Sequence, residues 1–186
     1  MSSQKEGIQR RLQPVECVMT TSTTVIEVSV VEDDVRVRSS LAHLIDATEG
    51  FRCASQHPNG ENALEELPLV NPAVVLMDIN MPGLSGVQCV SRLKQLLPKV
   101  QVVMLTVYEN TDHIFSALAA GASGYLLKQT PPEQLLDAIR DVHAGGSPMS
   151  SHIARKVVAS FHRQPQPASD QVKLSAREQE VLGYLV

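Results

Sequence analysis

The chain has 186 residues, 43% hydrophobic and 19% charged, which is ordinary globular composition and excludes a low-complexity or disordered chain. A formal net charge of -4 gives no basic field over the whole molecule, so any nucleic-acid contact must come from a small module. Cys17, Cys53 and Cys89 are too few and too scattered for a disulfide framework or a metal site. No apolar run reaches the roughly 18 residues of a membrane helix, and none of signal-peptide length follows Lys5, Arg10 and Arg11. These features predict a cytoplasmic protein with no membrane association.

Residues 1–24 mix Ser, Thr and Gln without a sustained period and are expected to form a flexible leader. The first strand is predicted at residues 26–31, followed by a helix with Leu41, Leu44, Ile45 and Thr48 on one face. A weaker strand is predicted at 51–56 and a strongly apolar one at 73–77. A helix with Val87, Val90, Leu93 and Leu97 along one side comes next. Strands at 100–105 and 124–127 bracket a helix from about residue 112 to 120. Leu135, Ile139 and Val142 mark the last helix of this series, which Pro131 and Pro132 begin and Gly145 to Pro148 stop.

This alternation predicts βαβ units and a doubly wound parallel sheet. Runs such as Val74 to Met77 and Val102 to Leu105 are apolar on both faces, as central parallel strands between helix layers must be. A short helix is predicted at 151–161, then a Pro/Gln-rich linker at 164–169. From Leu174 a further helix begins with a capping box of Ser175 and Glu178. The expected division is leader 1–24, main domain 25–147, helical segment and linker 148–172, and the start of another domain at 173–186.

Functional groups of a doubly wound sheet gather beyond the carboxyl ends of its strands. There the sequence puts Glu32, Asp33 and Asp34 after the first strand, Asp78 and Asn80 after the third, Thr106 after the fourth and Lys128 after the fifth. Converging carboxylates must hold a proton or a cation. Oxygen ligands with an open face suit Mg²⁺. With that charge in place an Asp carboxylate is a competent nucleophile towards phosphorus, while Lys128 and Thr106 can stabilise the transferred group.

In these motifs the chain resembles the receiver domain of two-component response regulators over about residues 25–147. The matching pieces are Val28 to Asp34, Val74 to Gly86, Val102 to Tyr108, and Ala120 to Lys128, with the family's intervals from Asp33 to Asp78 and from Thr106 to Lys128. The resemblance implies a flavodoxin-like, five-stranded sheet in the order 2-1-3-4-5. It implies that Asp78 accepts a phosphoryl group from a sensor histidine kinase or a phosphotransfer protein. Glu32, Asp33, Asp78 and the Asn80 backbone carbonyl would hold Mg²⁺. Thr106 and Lys128 would stabilise the phosphoryl group, with Thr106 and Tyr125 as the switch pair. The chain would then be a switch that takes part in its own phosphorylation and dephosphorylation, not an enzyme. Tyr108 and Asn80 match positions that tune phosphate lifetime. Val107 is a departure, bulkier than the family's usual small residue, and bears on the room left for an inward Tyr125.

Residues 174–182 resemble the opening of the helix-turn-helix domain of NarL/LuxR-type regulators, which implies transcriptional control through DNA and a homodimer on activation. No DNA-reading residue falls within the 186 positions. The alternative function is a stand-alone receiver acting through protein partners only. An aspartate-nucleophile phosphatase would usually carry an acid two residues after the nucleophile, where this chain has Asn80. Among the structural alternatives, Asp78 could cap the following helix, although Ser85 lies closer to its start. Asp34 is not expected to be a ligand, and the six histidines are expected on the surface.

Overall fold

In a computed structural model, residues 25–107 and 110–162 are described. The leader, Cys17, Tyr108, the Pro/Gln-rich linker and the capping box at Ser175 lie outside them. Five strands, β1 (Ile26–Val31), β2 (Phe51–His57), β3 (Val74–Met77), β4 (Gln101–Thr106) and β5 (Gly124–Leu127), form one parallel sheet in the order β2-β1-β3-β4-β5. The helices are α1 (Val35–Asp46), α2 (Gly60–Val70), α3 (Gly86–Leu96), α4 (Thr111–Ala119), α5 (Pro132–His143) and α6 (Ser151–His162). None of the described helices is long and apolar enough to cross a membrane.

Side chains alternate across the sheet and build two cores. On one face Val28 and Val30 of β1, Val74 and Leu76 of β3, and Val103 and Leu105 of β4 pack with Ile45 of α1 and Leu135, Ile139 and Val142 of α5. On the other, Val31, Val75, Met77, Met104 and Tyr125 pack with Leu67 of α2, Val90 and Leu93 of α3, and Ile114 and Ala117 of α4. Both faces of the inner strands are thus covered, which is why β3 is buried at every position. The faces expected of α1, α3 and α5 are the ones turned inward.

β2 runs one residue beyond expectation, to His57, and as an edge strand it is buried only at its two ends, Phe51 and His57. β3 and β4 start one residue later than expected, and β4 includes Thr106. The packed unit continues past β5. Tyr125 donates its N–H to Pro148 and pairs with Met149. α6 lies against α4 with Ile153 fully buried in the same core as Tyr125.

The histidine expectation fails at His57, which is wholly buried. Its Nε2 contacts the Ser55 hydroxyl at 2.7 Å and its Nδ1 the Asn62 side-chain oxygen at 3.0 Å, so the imidazole's polarity is satisfied inside. Periodicity in a strand marks which face a residue occupies, and says nothing of a polar partner waiting there.

Candidate functional site

The site lies where β1 and β3 stand side by side, flanked by the ends of β4 and β5. Pairing of Val31 with Met77 brings the next residues, Glu32 and Asp78, abreast, and the Asp78 N–H donates to the Val31 carbonyl at 2.9 Å. Thr106 pairs with Leu127, and the Lys128 N–H donates to the Thr106 carbonyl. The strand order changes direction around β1, so the crevice above it is free of a crossing connection.

Capping side chains keep the loops short. Asp34 accepts from the Arg36 N–H at 2.8 Å and the Val37 N–H at 3.4 Å, starting α1 directly after the acidic pair. Those N–H groups hold its carboxyl below the ordinary value, and it stands outside the cluster of possible ligands. Ser85 and Gln88 form a capping box at α3, so Asp78 is not needed as the cap. Gly86 fits because a Cβ there would stand 1.9 Å from the Asp78 carbonyl oxygen. The Met81–Gly83 turn is tied down by Glu61, whose carboxylate accepts the Leu84 N–H at 2.8 Å.

Glu32 is 2% exposed and Asp78 5%, an expensive arrangement for two carboxylates without a cation. Lys128 supplies one. Its ammonium lies 2.6 Å from Glu32 Oε2 and 2.9 Å from Asp78 Oδ2. The other Asp78 oxygen accepts the Ile79 N–H at 2.7 Å. Burial raises the Glu32 carboxyl above its ordinary value; Asp78 adds to the rise and Lys128 opposes it. Burial works to lower the Lys128 ammonium, but its bonds to Glu32 and Asp78 outweigh burial and leave it raised.

Asp33, on the exposed side, completes the cluster. One oxygen each from Glu32, Asp33 and Asp78 lies within 4.8 Å of the others. An all-oxygen set with one open flank fits a hard divalent cation such as Mg²⁺. Asn80 is exposed in the loop just after Asp78. Thr106 is fully buried at the rim, and with Val107, Leu127, Lys128 and Gln129 it lines a small cleft of about 80 Å³ beside the ammonium. Tyr125 is wholly buried, facing the core shared by α4 and α6. Val107 is 68% exposed, so its bulk turns to solvent and leaves the inward Tyr125 uncrowded.

Residues 28–140 match the family model for the response regulator receiver domain. The chain belongs to the response regulator receiver family. It is 31% identical over 163 residues to a transcriptional regulatory protein of Bacillus subtilis, YxjL, covering 86% of this chain and 75% of that one. It is 35% identical over 164 residues to the response regulator GacA of Pseudomonas protegens, covering 87% and 75%. A LuxR-family two-component response regulator from Aurantimonas sp. SI85-9A1 superposes with a TM-score of 0.70 at 25% identity, over 74% of this chain and 99% of that structure. The receiver is thus of the LuxR type, whose regulators control transcription, and its family is generally one of non-enzymatic switches.

Sequence reasoning missed three residues around this receiver's crevice: Arg38, His57 and Glu61. Arg38 donates to the Glu32 carbonyl at 2.5 Å and the Asp33 carbonyl at 3.2 Å. The His57 carbonyl accepts the Glu32 N–H at 3.0 Å. The only advance signal was at Arg38, a cation in the first turn of a helix, where the dipole disfavours it.

Proposed function

We propose that Asp78 is the phosphoacceptor of this receiver and that its phosphorylation depends on Mg²⁺. The observation carrying the reading is the placement of the Lys128 ammonium against both Glu32 and Asp78, with Asp33 completing an oxygen cluster. Glu32, Asp33, Asp78 and the Asn80 backbone carbonyl would hold a divalent cation, which when bound would neutralise charge on the incoming phosphoryl oxygens. The donor is the phosphohistidine of a sensor kinase or phosphotransfer protein. An Asp78 carboxylate oxygen forms the bond to phosphorus as the P–N bond breaks, and the imidazole leaves with the electron pair and takes up a proton.

Lys128 then holds the phosphoryl group, and the Thr106 hydroxyl turns to donate to it. Phosphorylation adds roughly -1.5 to -2 charge units if it follows other phosphorylated side chains. Two charge-assisted hydrogen bonds supply roughly 3–6 kcal/mol, against the about 5.5 kcal/mol that swings a two-state equilibrium from mostly off to mostly on. Thr106 and Tyr125 form the switch pair, and the activated protein acts in the cytoplasm as a homodimer on DNA through a C-terminal helix-turn-helix domain.

Intact mass spectrometry after incubation with acetyl phosphate tests the site. One added phosphoryl group, dependent on Mg²⁺ and absent from Asp78→Asn, is the expected result. Normal labelling of the folded Asp78→Asn protein would refute the assignment.

A further inference from the structure

We propose that Arg38 is a positioning residue for cation binding, holding the backbone on both sides of Asp33. This rests on reading Glu32, Asp33 and Asp78 as a divalent-cation site. Glu32 is buried and Asp78 is fixed by Ile79 and Lys128, so their carboxylates are held by packing and by direct bonds. Asp33 is exposed, and its carboxylate goes where its backbone points it.

The Arg38 Nη1 group donates to the Glu32 carbonyl at 2.5 Å and to the Asp33 carbonyl at 3.2 Å. Those carbonyls belong to the two peptide planes that meet at the Asp33 Cα. Planes are rigid, so fixing both restricts the two soft dihedrals that aim the Asp33 side chain. The guanidinium suits this task because the two N–H bonds of Nη1 lie in one rigid plane, so a single nitrogen can face both carbonyls with little freedom lost. The location has a cost: Arg38 lies in the first turn of α1, which has no acidic residue, at the positive end of the helix dipole. The two carbonyls offset that cost, and they turn the charged side chain back over the loop instead of into solvent.

Charge and position make opposite predictions. If Arg38 acted only as a nearby positive charge, removing it would tighten binding of a divalent cation. If it positions Asp33, removing it weakens binding even though a repulsive charge has gone. Supporting groups around metal ligands typically contribute about 10–100-fold in affinity. The expectation for Arg38→Ala is therefore a loss of about tenfold or more. Arg38→Lys keeps the charge but offers a point donor, and should fall between the two.

The test is calorimetric titration of MgCl2 into the full 186-residue chain and both variants, with circular dichroism melting to establish that each is folded. Weaker Mg²⁺ binding by folded Arg38→Ala, partly restored in Arg38→Lys, supports the proposal. Equal or tighter binding by Arg38→Ala overturns it while leaving the cation site intact. Absence of Mg²⁺ binding by the unmutated chain overturns the cation reading and the proposal together. Should Arg38→Ala fail to fold, Arg38→Lys decides alone: weaker binding supports positioning, and unchanged binding overturns it.

Discussion

Lys128→Met removes the ammonium that separates Glu32 from Asp78 while keeping most of the aliphatic stem. In the native chain the Lys128 side chain is one-fifth exposed, and its ammonium makes contacts of 2.6 and 2.9 Å to carboxylates that are almost fully buried. Removing one partner of such a group typically costs about 3–5 kcal/mol. The lower end applies here, because burial already holds Glu32 above its ordinary value, so a proton can relieve part of the repulsion once the ammonium is gone. At pH 8 the variant should lose about 3 kcal/mol, or roughly 10 °C of melting temperature for a domain of this size.

At pH 5, where protonation of the raised Glu32 carboxyl relieves the repulsion, the loss should be smaller. Mg²⁺ should recover most of it at pH 8, since a cation again faces the carboxylates. Urea unfolding followed by circular dichroism suits a chain without tryptophan. A loss equal at pH 5 and 8 and insensitive to Mg²⁺ would refute the electrostatic account and assign the effect to packing of the stem. The sign for Lys128 itself follows from its raised value: its contribution is complete below the unfolded value near 10.5 and disappears as pH rises through the folded one.

Asp78→Asn should remain folded and take no phosphoryl group, as mass spectrometry will read, and the Arg38 variants should separate charge from position by their Mg²⁺ affinities. Gly86→Ala sets a Cβ against the Asp78 carbonyl oxygen, the Asp78 carbonyl carbon and the Ile79 Cα, at 1.9, 2.8 and 2.9 Å. All three are backbone atoms, so the fold should lose about 1–3 kcal/mol or more by overpacking; an unchanged melting temperature would remove the close approach from consideration. With Glu32 as a ligand, Mg²⁺ competes with a proton for its carboxylate, so affinity should rise with pH from the acid side up through the raised Glu32 value. A titration series that is flat across that window would mean Glu32 is not a ligand.

Much of the fold was legible because its signals are local. The apolar runs of β3 and β4 can be buried on both faces only in a sandwiched parallel sheet, and each helix stripe repeats with its own period. Asp78, Thr106 and Lys128 stood out because each ends or follows a buried strand, where a doubly wound sheet gathers its polar groups. β2 was harder to delimit, since an edge strand pairs on one side only and its middle positions, polar in part, are neither fully buried nor fully exposed.

The sequence by itself determined the alternation of elements, the two-sided burial of the inner strands and the chemistry at their ends, because those depend on neighbours a few residues apart. Only the tertiary structure decided what pairs across the chain. His57 is inside because Ser55 and Asn62 meet its two nitrogens. Val107 turns to solvent while Tyr125 turns inward, and Ile153 of α6 closes over that same core. Arg38 bends back onto the acidic loop because the end of β1 and the start of α1 bring two carbonyls within its reach. Such contacts depend on direction and on partners distant in sequence, and periodicity carries neither.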